Sequence, residues 1–449
     1  MPRHLIHIIV FIEGFCSLGA EVIALRRLLP HVGSSIVVTA PTIGFFLLAL
    51  AFGYASGARV AARYDTVVMR NFLIAAALAG LGLARMTLDL AFDLFRPALA
   101  AYLIFILLVL CPIAWLLGQT VPILTNLMKH QRTGEASGTA LYWSTLGSFL
   151  GSVTLSLIVM QRLGVSAAVF ACAAGLILGA VLLAGRSALP MLLATVLLAA
   201  VAGLNFSAAP VIETAYADYS VVPGEQGAQG SRRIFMVNRQ QASALDDSDP
   251  PRHLDYVDHL RRVLLDELGF ADRDILVLGA GGFSLSQREP LNRYTYVDID
   301  PAILRIAETR FLRQPVHGRF IADDARPYLS ATAQQYDAII VDAYSSRTSI
   351  PGHLVTREFW LDVRRALRPQ GVLLANLVLD GRLETPYARS MLATIESVYG
   401  RCAVEVLHKG RPSANVEVVC FASSQPGGAT IYVDEKNPAD IDKARAAAR

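Results

Sequence analysis

The chain has 449 residues, 54% of them hydrophobic and 17% charged, where an ordinary soluble protein carries about 25% charged residues; with a mean hydropathy of +0.45, a purely soluble enzyme is excluded. Residues 1–209 hold 12 Lys/Arg and 6 Asp/Glu, whereas residues 210–449 hold 28 and 31, so a membrane-like half is joined to a soluble half. The net negative charge of the soluble half argues against a nucleic-acid partner, which would need a basic face. Five cysteines, Cys16, Cys111, Cys172, Cys402 and Cys420, are too few and too scattered for a disulfide framework. None belongs to a CxxC or Cys/His cluster, so no metal is expected.

Spanning a bilayer takes about 20 mostly apolar residues. Seven such stretches begin near Leu5, Ser35, Phe72, Ala98, Thr139, Val165 and Ala188. The first runs past the core of a signal peptide and is followed by others, so it reads as a retained helix of a multi-pass protein in the cell membrane, with the lipid bilayer as partner. Arg59, Arg63 and Arg70, and later Lys129 and Arg132, mark two loops as cytoplasmic. Seven crossings from an inside N-terminus would then leave the soluble half outside. Glu13 and Glu21 lie within the first stretch, where an ionisable group costs a few kcal/mol unless it meets a cavity or a partner; either a polar binding path or local pairing with Arg26 or a neighbouring helix accounts for them. Gly147 and Gly151 form a GxxxG, which allows close helix packing.

In the soluble half, residues 211–245 read as short strands in a hairpin arrangement. His253–Leu268 has helical spacing of Leu254, Val257, Leu260, Val263, Leu264 and Leu268. Strands then alternate with helices: strands at Ile275–Leu278, Tyr294–Val297, Arg319–Ile321, Ala338–Val341 and Val372–Leu377, helices at Ala302–Phe311 and Thr356–Leu367. That order predicts an α/β doubly wound, Rossmann-like domain of the methyltransferase type, behind a small β subdomain and a multi-pass α-helical membrane domain. The expected divisions are 1–209, 210–252, 253–423 and a polar tail at 424–449.

Ligands of such sheets bind at the carboxyl ends of the strands. There Gly279, Gly281 and Gly282 follow the first strand, where a bare backbone lets a nucleoside approach. Asp298 ends the second strand and can accept both ribose hydroxyls. Asp323 and Asp324 follow the third, within reach of an adenine amine, and Asp342 follows the fourth, at the central crevice. Helix capping is the competing reading for each acid. No GxGxxG is present, which disfavours a nicotinamide dinucleotide and favours an S-adenosyl donor.

With these motifs in place, the soluble half resembles the spermidine synthase family of aminopropyltransferases, in the variety fused behind a multispanning membrane domain. MVNRQQAS, with Asn238 and Gln241, is similar to the family's LDGxxQ; Tyr256, Val257 and Asp258 stand for YHE, VDID for the VEID-like strand end, Asp324 and Ala325 for its DA pair, and DAYS for DxxD. In the membrane half, Glu21 near Arg26 and the stretch GEASGTALYWSTLGSFLGS resemble those of the fused proteins, with Ser144 where Asn is usual. The glycine loop GAGGFS lacks the family's Asp, and Ser345 replaces the second Asp of DxxD.

The resemblance implies an aminopropyl transfer from decarboxylated S-adenosylmethionine to a small amine. Asp342 would take the proton, assisted by Tyr256; Gly279, Gly281, Asp298, Asp323, Asp324 and Gln241 would hold the donor; Asp258 and Tyr344 would face the amine. It also implies a homodimer, and a cytoplasmic soluble half, because S-adenosyl donors are made there. A methyltransferase on the same scaffold, a transport-linked enzyme and a non-catalytic sensor remain open from the residues alone.

Overall fold

A computed structural model describes residues 2–33, 36–128, 133–185, 187–207, 211–224, 232–344 and 350–422. The chain divides into two compact units, Met1–Val32 with Val38–Ala215, and Gly33–Val37 with Tyr216–Arg449. Lys129, Arg132, Ser345 and the tail at 424–449 lie outside the described residues.

Among the described residues, the first unit has seven helices long and apolar enough to cross a membrane: α1 Arg3–Val32, α2 Ile36–Gly57, α3 Tyr64–Gly82, α5 Ala98–Thr125, α6 Gly134–Leu163, α7 Val165–Ala184 and α8 Ala188–Phe206. Between α3 and α5 lies a short helix not expected from the sequence, α4 Arg85–Leu94. Large apolar side chains such as Phe52, Leu108, Phe149 and Leu192 point outward, a surface suited to hydrocarbon rather than water.

Glycines set the tightest contact in this unit. A Cβ on Gly147 would stand 2.2 Å from the carbonyl oxygen of Phe11, one on Gly151 2.2 Å from that of Phe15, and one on Gly14 2.0 Å from that of Ser144. The predicted GxxxG therefore lets α6 lie backbone to backbone against α1. At this seam Ser144 Oγ donates to buried Glu13 Oε2 at 2.8 Å. Glu213, just beyond α8, returns to the same unit: Arg27 Nη1 donates to its Oε1 at 2.6 Å and Ser166 N to its Oε2 at 2.6 Å. Burial works against the Glu213 carboxylate, but Arg27 and Ser166 outweigh it and hold the group below its ordinary range.

In the second unit, β2 Asp218–Pro223, β3 Arg233–Val237 and β4 Gln240–Leu245 form an antiparallel meander; the two-residue β1 Ile212–Glu213 belongs to the first unit. The main sheet has the order β10-β11-β9-β8-β5-β6-β7. Its parallel part comprises β5 Asp274–Leu278, β6 Arg293–Asp298, β7 Arg319–Ala322, β8 Tyr336–Val341 and β9 Leu367–Leu379. The chain winds outward from β5 to β7 and returns beside β5 as β8, so the switch point lies between β5 and β8.

Intervening helices are α9 Asp255–Arg261, α10 Ile303–Ile306, α11 Ala325–Ala331, α12 Arg357–Ala366 and α13 Pro386–Tyr399. Leu276, Ile339, Leu373 and Ala375 pack with Trp360, Phe359 and Ile395 on one face. Alternate residues Ile275, Val277, Ile340 and Leu374 are equally buried on the other, as a sheet covered on both sides requires.

Two further strands, β10 Ala403–Val406 and β11 Ala414–Phe421, extend this sheet antiparallel beyond β9. Neither they nor α11 and α13 were expected from the sequence. Cys402 and Cys420 are disulfide-bonded: the register that sets Ala403 against Val419 brings them opposite each other. The scatter of the cysteines in sequence hid this single bridge.

Because the α1–α6 seam leaves no room for a side chain, Gly151→Leu should lower the thermal stability of the detergent-solubilised protein by about 1–3 kcal/mol, read by intrinsic-fluorescence melting. Gly203→Leu, at a position with nothing within 4 Å of an added Cβ, is the control expected to melt like wild type. Equal melting of both variants would refute the close-packed seam.

Candidate active site

The site begins at a backbone contact. Gly279 follows β5 with φ +94°, and a Cβ there would lie 2.2 Å from the carbonyl oxygen of Asp342. Asp342 N in turn donates to Leu278 O at 2.8 Å. Only glycine tolerates both the left-handed backbone and this approach, so the glycine loop and Asp342 are set side by side at the switch point.

Asp342 is held from both sides. Asn376 Nδ2, from β9, donates to its Oδ1 at 2.8 Å, and Tyr256 OH, from α9, stands 3.1 Å from its Oδ2. The Tyr256 hydroxyl also reaches Ala242 O at 2.8 Å, the carbonyl of a residue left unpaired where the β3–β4 register shifts. A phenol has one proton and here two acceptors, so the Tyr256 hydroxyl is shared between the Ala242 carbonyl and the Asp342 carboxylate. Burial pushes the Asp342 carboxyl up to about 7, with the bonds from Asn376 and Tyr256 opposing. Burial, and then the neighbouring Asp342, hold the Tyr256 phenol well above its ordinary range.

The loop after β5 is fastened by two other expected residues and one not foreseen. Asp298 accepts from Ala280 N at 2.9 Å and Asp300 N at 3.0 Å, and burial raises its carboxyl. Each oxygen retains a further lone pair. Gly281 has φ +50°. Gly282 N donates to Ser243 Oγ at 2.9 Å, tying β4 to the loop.

The remaining expected residues divide. Asp324 caps α11, accepting from Arg326 N at 2.9 Å, and has His353 Nε2 at 3.1 Å from Oδ2; Asp323 beside it is exposed. Gln241 is exposed on β4. Asn238 accepts from Asp218 N at 3.0 Å in the β3–β4 turn. Tyr344 OH donates to Asn376 O and accepts from Val378 N, both at 2.7 Å, so its hydroxyl is engaged by β9. Asp258 accepts from His253 N at 3.1 Å and lies 2.7 Å from His253 Nδ1. Burial works against its charge, but His253 prevails and holds the carboxyl below its ordinary range. Two positions along α9 from Tyr256, Asp258 points to nearly the opposite side of the helix; His259, three positions on, shares the face of Tyr256.

Residues that the sequence did not single out complete the surroundings. Asn415 Nδ2 donates to Asn376 Oδ1 at 2.9 Å, orienting the amide that meets Asp342. His259 Nδ1 contacts Glu417 Oε2, and its Nε2 lies 2.9 Å from Glu405 Oε2. A glutamate amid the apolar residues of β11 was the available signal. Among the described residues, no group of three His, Cys, Asp or Glu side chains is arranged to hold a metal ion.

No family model matches the chain. Over 134 residues it is 37% identical to a protein of Vibrio vulnificus named polyamine aminopropyltransferase, a match taking in 28% of this chain and 43% of that protein. A polyamine aminopropyltransferase 1 of Streptomyces coelicolor aligns over 421 residues at 26% identity, covering 83% of this chain and 75% of that protein, more than the soluble half alone could supply. A solved structure of a probable spermidine synthase from Corynebacterium glutamicum gives a TM-score of 0.41 at 21% identity, covering 48% of this chain and 80% of that one. The chain thus resembles polyamine aminopropyltransferases, while spanning less than half the length of the first of these relatives.

Gly279→Ala should force β5 and β8 apart at their carboxyl ends. The expected result is faster amide hydrogen exchange in peptides covering 274–282 and 338–344 of the full-length protein, with peptides of α1 and α6 unchanged. Wild-type exchange in the first two would show that the close approach does not constrain the site.

Proposed function

We propose that the chain is a membrane-embedded aminopropyltransferase that moves an aminopropyl group from decarboxylated S-adenosylmethionine to a small amine. The observation that carries this reading is the buried carboxyl of Asp342, poised near neutrality beside a side-chain-free glycine turn and held by Tyr256 and Asn376. The similarity to proteins named polyamine aminopropyltransferase supports it independently.

In this scheme the donor nucleoside lies along Gly279 and Gly281, its ribose hydroxyls on the free lone pairs of Asp298, its adenine towards Asp323 and Asp324, with Gln241 at the donor pocket. The acceptor amine sits beside Asp342 and Tyr256, with Tyr344 at the margin of its pocket; Asp258, held by His253 on the other side of α9, acts only through that helix. An ammonium has no lone pair, so it must first lose a proton. Asp342 accepts that proton. The amine nitrogen then attacks the carbon next to the sulfonium: a nitrogen–carbon bond forms, the carbon–sulfur bond breaks, and its electron pair stays on sulfur in methylthioadenosine. Orientation and proton removal are the protein's contributions.

A glycine loop without a carboxylate favours a second reading, methyl transfer from S-adenosylmethionine itself. Mass spectrometry of products from the full-length protein, given each donor with a panel of amines, separates the two. An aminopropylated amine with methylthioadenosine is expected; a methylated product would replace the first reading with the second.

Asp342→Asn should lower transfer by about 10²- to 10⁴-fold while methylthioadenosine still binds by calorimetry. The wild-type rate should rise with pH through about 7, as Asp342 loses its proton. Asn376→Leu removes a bond that favours the charged form, so this limb should move to higher pH. A limb unmoved by Asn376→Leu would remove Asp342 from the role of base.

We also propose that the bilayer is that of the cell membrane and that the C-terminal unit works in the cytoplasm, where S-adenosyl donors are made. Two features oppose this: the odd number of spans with basic inner loops, and the Cys402–Cys420 bridge, since cytosolic thiols are kept reduced. A green fluorescent or alkaline phosphatase reporter after Arg449 decides. Fluorescence is expected; phosphatase activity would place the site away from its donor and overturn the proposal.

A further inference from the structure

Glu417 is almost fully buried, at 1% exposure, in a strand whose neighbours Val416, Val418 and Val419 are apolar. Its Oε2 contacts His259. Its Oε1 has no hydrogen-bond partner among the described residues, a state that costs about 1–3 kcal/mol or more for a charged acceptor. A fastening between α9 and β11 would account for the first oxygen but not for the second.

The placement of that oxygen follows from the sheet. Glu417 lies directly opposite Asn376 in the β11–β9 register, and opposed residues of an antiparallel pair project from the same face. Asn376 uses that face to reach Asp342, on the adjacent strand. Glu417 on β11, Asn376 on β9 and Asp342 directly after β8 therefore stand in a row across three neighbouring chain segments, with about 10 Å between the outer two backbones. His259 approaches from the face of α9 that carries Tyr256. The charge of Glu417 is felt at Tyr256 and that of Asp342 at Glu417. Burial first, then Glu405 and Asp342, push the Glu417 carboxyl up to about 7 against the pull of His259.

We infer that Glu417, positioned by His259, is the second anionic group of the Asp342 pocket and binds the distal ammonium of a short aliphatic diamine. The inference rests on the amine-acceptor reading above. It assigns to β11 the charge that the sequence lacks at Ser345, since a dication is taken out of water at tolerable cost only against two carboxylates. Asp342 meets the reacting nitrogen, and Glu417 Oε1 the remote one.

The test is calorimetric titration of the detergent-solubilised full-length protein, saturated with methylthioadenosine, by 1,4-diaminobutane and by 1-aminobutane. Wild type should bind the diamine at least about 10-fold more tightly, as one charged hydrogen bond allows. Glu417→Gln should abolish that preference by weakening only the diamine. Glu417→Asp keeps the charge on a shorter arm and should restore a preference, now for 1,5-diaminopentane. A wild type without preference, a Glu417→Gln protein that keeps it, or one that loses both ligands equally would overturn the inference, the last by showing a merely structural role. Because binding rather than turnover is read, failure to form an aminopropylated product would sink the proposed reaction without producing any of these results.

Discussion

The approach of the Gly279 backbone to that of Asp342 is the constraint from which the rest of the site follows. With no Cβ between them, the carboxyl ends of β5 and β8 close to within a bond of each other, and the glycine loop and the acid become one surface. Asp298 then secures the loop from the β6 side, while Asn376 and Tyr256 fix the acid from β9 and α9. Any residue but glycine would drive the loop and the acid apart.

Much of this was legible in the sequence because parallel strands buried on both faces read as short apolar runs, and their carboxyl ends are where polar residues stand out. β5 to β9 could be located that way, and with them Gly279, Asp298 and Asp342. What escaped were groups whose neighbours are distant in the chain. Asn376 sits inside the apolar run of β9, where nothing local marks it as a partner of Asp342. His259 falls between the apolar positions of its helix, and Glu417 arrives on a strand added antiparallel at the sheet edge, a reversal that no local pattern announces. Conversely, Asp324 was read as an adenine acceptor, and its described contacts include a helix cap; a local pattern cannot distinguish the two uses.

The helical unit shows the same division. Seven apolar stretches and a GxxxG sufficed to foresee seven long helices and a close contact, because both follow from composition and spacing. The partner of the GxxxG did not follow, nor did the bond from Ser144 to Glu13 across that contact. The ring of Arg27, Ser166 and Glu213 was equally hidden: its members come from α1, α7 and the chain beyond α8. Such polar contacts give a direction to helices that lipid alone would let rotate.

Burial has a double consequence in the C-terminal unit. Asp342 and Glu417 are both raised to about 7, and an acid raised by folding stabilises the fold below its unfolded value, near 4, and loses that contribution as pH climbs through its folded value. Without a cation, the pocket therefore weakens the unit most above neutrality, where both acids tend to ionise side by side. That is also the range in which Asp342, in the proposed reaction, would act as base. A dication placed between the two carboxylates would remove that repulsion, so the same burial that costs the fold stability above neutrality would favour a cation of two charges.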